Sequence, residues 1–598
     1  MPRSGKKHPP PRENAPAEPH AISRHARQTV PHATPLNNAP SWESVLVKSA
    51  AILLACLWIY SPVYHGEWLW DDDYLLTDNP VVQSPDGIWK IWFQPTTADY
   101  FPLTMSALWL QWKFFGLDST GYHIVSIVLH ALGAGLVWQL LRLIGVRGAW
   151  VAGMVFAVHP LAVESVAWVS ELKNTFSLPF FLIAACFFVR FVENDRWTTY
   201  ALALVFFLAA MLAKSSVVMF PVAMLLYIWW RRGTIGWRNL WMAAPFFLIS
   251  LLLGLVTLQF QHGRAIGDEP IPIGGFDSRT AIAGMAILFY LSKILWPVPL
   301  VPIYPQWDAN PPAAWQFLPW FILAAALVFF WIKRKTWGRH AMLGVGFYGI
   351  MLFPVLGFVA MSYMRVGWVA DHFLYIPMIG IVALVVAAGA RVFDTTRPSW
   401  KPAIGAATAA ILCTLAVLSY RYSEVWENED KLWTYTLRHN WNCWQAHNRL
   451  GAREFNRGNV DVALKHFREA TRLRPDLAET QNNLGSAVLA KKDTKAAIQH
   501  FREALRLSPT IVAIQSNLAN ALVLDGQLEE ARELYGDLAR RFPQSATFLC
   551  NWGVTLYRTG RHTEAVAAFQ RALEINPGLA DARENLRFAS EALNKKND

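Results

Sequence analysis

The sequence predicts an all-α chain in two parts, a polytopic membrane body followed by a soluble α-solenoid. Three observations carry that reading. Apolar stretches of membrane-crossing length succeed one another as far as Tyr420. Beyond that point the chain repeats itself every 34 residues. Hydrophobic residues make up 54% of the 598 and charged ones 16%, which is too apolar for a soluble chain of this length.

Taken in order, residues 1–43 are rich in proline, histidine and charge and read as a disordered arm. The first apolar stretch starts near Val45, too deep and too long for an ordinary signal peptide. Leu53-Leu54-Ala55-Cys56 looks like a lipoprotein cleavage box, but apolar sequence continues past it through Ile59. Ser41 to Tyr64 therefore reads as an uncleaved first span. Further windows lie near 121–144, 148–167, 174–191, 198–213, 215–230, 239–259, 279–297, 315–333, 341–363, 373–393 and 403–421. Basic residues cluster in the arm and at Arg142–Arg147, Arg190–Arg196, Arg231–Arg238, Lys333–Arg339 and Arg391–Lys401, which all read as cytoplasmic. If 279–297 crossed, Lys333-Arg334-Lys335 would fall on the outer side. Reading that segment as re-entrant or interfacial, broken by Pro297, Pro299 and Pro302, restores the pattern with eleven crossings. The N-terminus is then cytoplasmic, and the loop after the first span shares the outer face with the repeats. The expected domains are a membrane domain over 44–422, a linker over 423–443, four repeats over 444–577, and a capping helix with a tail over 578–598.

The 29 tryptophans suit a membrane interface, and positive-inside loops explain the net charge of +11 better than nucleic acid, which is not an expected partner. Five cysteines give no disulfide framework; Cys443 and Cys550 fall in the first and last repeats, too far apart to bond.

The repeat aligns Leu450-Gly451 with Leu484-Gly485, Leu518-Ala519 and Trp552-Gly553. Ala463, Ala497, Ala531 and Ala565 follow, then Phe467, Phe501, Tyr535 and Phe569, and each unit closes on Pro475, Pro509, Pro543 or Pro577. This is the tetratricopeptide (TPR) pattern. The sixth position of each first helix, on the concave side, carries Arg449, Asn483, Asn517 and Asn551, with Asn448, Asn482 and Asn520 nearby. Amides offer a donor and an acceptor together and suit the backbone of an extended peptide. Asn448, Asn483, Asn517 and Asn551 are therefore the expected acceptor contacts, against the plainer alternative of solvated helix-surface residues.

Chemistry concentrates around Trp70-Asp71-Asp72-Asp73, three adjacent carboxylates just after the first span. His159-Pro160 breaks a helix, and Glu164, Trp168 and Glu171 then share one helical face. Lys173, Lys214 and Lys293 interrupt apolar sequence, and Arg365, Asp371 and His372 form a further cluster. Cations beside carboxylates suit an anionic lipid headgroup, with a carboxylate as base. The plainer alternatives are a solvated juxtamembrane loop and lysines that snorkel to the interface. No His/Cys cluster has zinc spacing and no glycine-rich phosphate loop is evident.

WDDDYLLTDNPVV, YHIVSIVLHAL, HPLAVESVAWVSELKN, YLSKILWP and ADHFLYIP, in that order, resemble the TPR-containing transmembrane O-mannosyltransferase family and its bacterial relatives. The likeness runs over residues 45–595. It implies a GT-C-like membrane domain, a polyprenyl-phosphate sugar as donor, and an acidic residue of the first outer loop as catalytic base. Counting back from Asn79, the family's acidic pair aligns with Asp71 and Asp72. His372 departs from the arginine common in bacterial relatives. The implied reaction has Asp72, or Asp71, deprotonate a serine or threonine of a protein or peptide acceptor held in the TPR groove. Asp73 and Glu164 complete the carboxylate set. The donor site would draw on His159, Lys173, Lys293, Arg365, Asp371 and His372. No tightly bound cofactor and no metal ligands are expected; a divalent metal is compatible with the scheme without being required. The implied setting is a multi-pass protein of a bacterial inner membrane, in contact with bilayer lipid, with periplasmic repeats. A membrane transporter, a TPR scaffold or assembly factor, and a transferase acting on a lipid or glycan acceptor stay open as alternatives.

Overall fold

In this computed structural model the described residues are 5, 41–95, 99–266, 271 and 273–597. The arm at 1–43 lies outside the described residues apart from Gly5 and residues 41–43. Every regular element among the described residues is helical.

α1 (Trp42–Ile59) begins where the Ser41 hydroxyl accepts from Ser44 N at 3.3 Å, a side-chain N-cap. The next loop folds into α2 (Pro80–Gln83), α3 (Gly87–Phe93) and α4 (Pro102–Phe115). Asn79 caps α2, with Pro80 placed where no amide hydrogen is needed. Then come α5 (Ser119–Leu143), α6 (Ala149–Val158), α7 (Val163–Ala167), α8 (Leu172–Asn194), α9 (Trp197–Ala213), α10 (Phe220–Arg232) and α11 (Trp237–Phe260). α12 (Phe276–Leu295), α13 (Leu318–Ile332), α14 (Gly338–Leu352), α15 (Met378–Thr395) and α16 (Lys401–Ser423) complete the bundle. Eight helical segments among the described residues are long and apolar enough to cross a membrane. A ninth is the pair on either side of His159, bent by 57° where Pro160 removes a backbone donor.

Contacts sort the helix ends into two groups. At one end Arg147 pairs with Asp394, Arg238 with Asp195 at 2.7 Å, and Trp229 stacks on Trp331 at 5.9 Å. All these residues lie in or beside the basic loops. At the opposite end Thr104 donates to Ala213 O at 2.8 Å, and Asp72 meets Ser170. α12 stays at this second end. Near its start Arg279 donates to Phe358 O at 3.1 Å, and near its finish Ile294 O accepts from His159 at 3.1 Å. The helix itself is unbroken; Pro297, Pro299 and Pro302 come after it. Length and apolarity alone would make it a span, whereas its partners lay it along one end.

Past α16 the chain continues through α17 (Glu429–His439) into the helix pairs α18 (Trp444–Asn456) with α19 (Val460–Leu473), α20 (Ala478–Ala490) with α21 (Thr494–Leu507), α22 (Val512–Asp525) with α23 (Leu528–Arg541), and α24 (Ala546–Arg558) with α25 (His562–Ile575), closed by α26 (Ala580–Asn597). A Cβ at Gly451, Gly485 or Gly553 would come within 2.8, 2.8 or 2.6 Å of the Phe467, Phe501 or Phe569 ring. The glycines are there because each buried aromatic leaves no room for a side chain.

Residues 423–443 are not a tether. They are expected as a linker or juxtamembrane stretch; Trp426, Leu432 and Trp433 are fully buried and join the bundle core, together with Ala446 and Leu450 of α18. The core of the remaining repeats starts afresh at Ala463. Phe501→Ala is expected to destabilise the repeats by about 3–5 kcal/mol, the range for deleting a buried aromatic ring. Limited proteolysis of the full-length protein should then cut within 478–541 while α1–α17 stay protected; unchanged resistance would show that the ring does not hold the solenoid.

Candidate active site

The aspartate motif is built on a strained residue. Trp70 has φ of +48°, a left-handed conformation that bulky residues seldom adopt. Its indole stacks on Trp168 at 4.9 Å and meets the Trp433 edge at 5.3 Å. This turn sends Asp71 and Asp72 in different directions.

Asp72 points inward and is 1% exposed. Its Oδ1 accepts from Ser170 N at 2.8 Å and Ser170 Oγ at 2.5 Å, and its Oδ2 accepts from Leu69 N at 2.9 Å. Burial pushes its pKa up to about 7 against the hydrogen bonds from Ser170 and Leu69. Three donors already occupy this carboxylate, so it locks the first loop to the segment before α8 and does not present a base. Asp71 is the residue that reaches solvent, and its carboxylate accepts no hydrogen bond among the described residues. Burial by the surrounding protein raises its pKa above the ordinary 3.8, opposed by Lys173 and Arg449 and reinforced by Glu171 and Asp73. Asp73 is exposed, accepts from Thr77 Oγ1 at 3.3 Å and lies 4.0 Å from Arg449.

Lys173, the second residue of α8, is close enough for its charge to act on Asp71. Its Nζ pairs with Glu171 Oε1 at 2.9 Å, and Lys214 Nζ takes Oε2 of the same carboxylate at 3.3 Å. Asn174 bridges the pair, donating to Glu171 at 2.6 Å and accepting from Lys214 at 2.5 Å. Burial lowers the Lys214 pKa to about 8, which leaves it charged at neutral pH. Two lysines share one carboxylate, so the cluster keeps a surplus positive charge, and Lys173 carries it nearer the surface.

Other expected site residues prove to be internal fastenings. Glu164, fully buried, accepts from His372 N and from its Nδ1, both at 2.9 Å, and so fastens α7 to the segment before α15. His159 accepts from Leu161 N at 3.2 Å on one ring nitrogen and bonds Ile294 O with the other, which spends both. Asp371 takes the hydroxyls of Tyr304 at 2.8 Å and Tyr422 at 3.3 Å, and burial together with Glu164 raises its pKa. Lys293 donates to Pro299 O at 2.7 Å beneath Phe289 and Tyr304. Arg365 donates to the backbone of Ala265 and Ile266. Of the expected phosphate cations only Lys173 meets the aspartate motif. Glu171, Lys214 and Asn174 complete its surroundings; the lysine breaking an apolar run was the one legible signal for Lys214. Among the described residues no group of three or more His, Cys, Asp or Glu side chains is arranged for a metal ion.

The groove amides form a ladder. Asn483 donates to Asn448 at 3.0 Å and Asn517 to Asn482 at 2.9 Å, linking successive repeats. Asn448 also donates to Glu479 at 2.7 Å and is buried, which removes it as a peptide contact. Asn551 bonds the Tyr535 hydroxyl. Asn483, Asn517 and Asn551 remain half-buried on the solenoid.

Residues 99–258 match the family described as dolichyl-phosphate-mannose-protein mannosyltransferase, and residues 448–510 and 516–580 match tetratricopeptide repeats. Protein O-mannosyl-transferase TMTC3 of Homo sapiens is 22% identical over 477 residues, which cover 71% of this chain and 51% of the relative. Protein O-mannosyl-transferase TMTC4 of Homo sapiens is 22% identical over 505 residues, 72% of this chain and 66% of the relative. The chain is homologous to the TPR-containing transmembrane O-mannosyltransferases. It spans about half the length of the TMTC3 proteins of Homo sapiens and Mus musculus that it matches. The mannosyltransferase match contains Glu171, Lys173 and Lys214, and the aspartate motif precedes it. Among solved structures, the crystal structure of MamA is 18% identical, with a TM-score of 0.24, over 25% of this chain and 82% of that one. The TPR protein YrrB is 21% identical, with a TM-score of 0.25, over 26% and 81%.

The two aspartates should separate in stability measurements. Asp72→Ala strips the acceptor from Ser170 and Leu69, and each orphaned buried donor costs about 1–3 kcal/mol. Asp71→Asn should change stability by less than about 0.5 kcal/mol, as at an ordinary surface site. Thermal unfolding in detergent reads both; equal midpoints for the two variants would undo the division of roles.

Proposed function

We propose that this protein is a membrane glycosyltransferase that moves a sugar, mannose by homology, from a polyprenyl-phosphate carrier to serine or threonine hydroxyls of protein acceptors. The observation that carries the proposal is an exposed Asp71 carboxylate, free of hydrogen bonds among the described residues, within the influence of Lys173, which is ion-paired to the buried Glu171. Asp71 takes the proton of the attacking hydroxyl, whose oxygen bonds to the anomeric carbon. The bond from that carbon to the phosphate oxygen breaks as Lys173 neutralises the leaving phosphate. Glu171 keeps Lys173 in place and Lys214 keeps Glu171 ionised, so the lysine enters each turnover already positioned. A single in-line displacement inverts the anomeric centre. The apolar helices support a multi-pass membrane protein, and with the basic loops placed inside the reading is eleven crossings of a bacterial inner membrane, α12 along the outer interface and the site and solenoid outside. Protein acceptors would lie along the solenoid, with Asn483, Asn517 and Asn551 offering amides to an extended chain.

Asp71→Asn should lower turnover of a peptide acceptor by about 10²–10⁴-fold, the usual contribution of a positioned base. Asp73→Asn should lose far less. Full activity of Asp71→Asn with a defined polyprenyl-phosphate mannose would eliminate it as the base. Because Lys173 holds the Asp71 pKa down, Lys173→Ala should lower turnover and also move the acid limb of the pH–rate profile to higher pH. A limb that stays put would separate the two residues. Sidedness is checked by fusions. A reporter active only outside the cytoplasm should work after Tyr420, and a cytoplasm-dependent one after Lys335. Cytoplasmic repeats would part the solenoid from a lipid-sugar site on the outer face.

A further inference from the structure

We propose that Arg449, on the first TPR helix, is a positioning residue for the Asp71 base, gripping the Trp70 peptide at its carbonyl while Glu429 grips it at its amide. This rests on the transfer reaction proposed above. Arg449 donates to Trp70 O at 3.4 Å, and Trp70 N donates to Glu429 Oε1 at 3.4 Å. The two side chains lie 3.9 Å apart, so the left-handed peptide sits inside an ion pair. Arg449 also lies 4.0 Å from Asp73. One turn further along the same face, Arg453 pairs with Glu67 at 3.2 Å, Glu429 at 3.5 Å and Asp430 at 3.0 Å. The start of the aspartate loop is thus fastened to α18 on both sides of Trp68 and Leu69.

The sequence marks this position as unusual. The corresponding residues of the later repeats are Asn483, Asn517 and Asn551, which bond other solenoid side chains. At Arg449 the array turns a long cation out of its own groove and onto the bundle. A strained backbone persists only where its surroundings over-determine it. Here they are two tryptophan rings, one acceptor and one donor, and the acceptor and the donor both come from the part of the chain that follows α16. The largest charge effects on Asp71 come from Lys173 and Arg449, which lower its pKa, and from Glu171 and Asp73, which raise it, with Asp72 adjacent in the chain. Arg449 therefore acts on the base twice, through the backbone that aims it and through charge.

The test uses full-length protein in detergent, polyprenyl-phosphate mannose and a peptide too short to reach the solenoid, comparing Arg449→Gln with Arg506→Gln, an exposed arginine remote from the bundle. Arg449→Gln should lower kcat roughly tenfold, as expected for losing one charge-assisted hydrogen bond. It should leave the peptide KM unchanged and move the acid limb of the profile to higher pH. Arg449→Lys should return the limb towards the wild-type position without restoring kcat, because the charge comes back without the planar donor fork. Hydrogen exchange over residues 67–73 should be faster in Arg449→Gln and unchanged in Arg506→Gln. An unchanged limb and kcat, a rise in KM alone, or the same loss in Arg506→Gln would overturn the assignment. If Arg449→Gln does not accumulate, Arg449→Lys decides, and wild-type kcat with wild-type exchange rejects the grip. A wild-type protein that transfers no sugar would refute the proposed reaction, and the exchange comparison would still decide the grip: unchanged protection at 67–73 rejects it.

Discussion

Everything at the site hangs on the buried carboxylate of Asp72. A carboxyl group is costly to withdraw from water unless its oxygens are hydrogen-bonded, and here two backbone amides and one hydroxyl donate to them. Two of those donors come from Ser170, nearly a hundred positions along the chain. The bond therefore fixes the register between the loop after α1 and the segment entering α8. Asp71 precedes the anchor by one residue and Lys173 follows Ser170 by three, so the same fastening that buries one carboxylate sets the other opposite its cation.

The second constraint is the join between bundle and solenoid. α17 and the first half of α18 contribute Leu432, Trp433, Ala446 and Leu450 to the bundle core. Above them Arg453 and Arg457 crowd Asp430, an exposed network whose individual pairs contribute little in water. Apolar burial supplies the adhesion and the charges supply its orientation. The solenoid accordingly meets the site at a fixed angle.

Much of this was legible in the sequence, and the limits are physical. Membrane-length windows and the 34-residue period are long-range patterns that average over many residues, so helices and repeats could be read from them. Homology brought the aspartate motif forward as a candidate. What the sequence could not separate was Asp71 from Asp72. Their difference depends on one left-handed residue and on a distant serine, and neither leaves a local trace. Likewise Glu164, His159 and Asp371 look the same in sequence whether they face a ligand or the His372, backbone and tyrosine partners they have here. Carboxylates and histidines in apolar surroundings mark buried polar networks in general, and only their partners tell fastening from chemistry. The packing of 423–443 on the bundle has a simpler local cause: the charges of α17 sit on one face and its tryptophan and leucines on the other.

Because the first half of α18 joins the core of the bundle while its second half packs on the separate core of the solenoid, the seam between the two architectures runs through a repeat and not before it. Modularity therefore starts one helix late. Each unit downstream packs only on its neighbours, so units there could be added or removed without touching the bundle core. The founding unit has no such freedom. Its first helix enters the bundle core, and a change in the length of the arm beyond it leaves the first loop and its partners untouched.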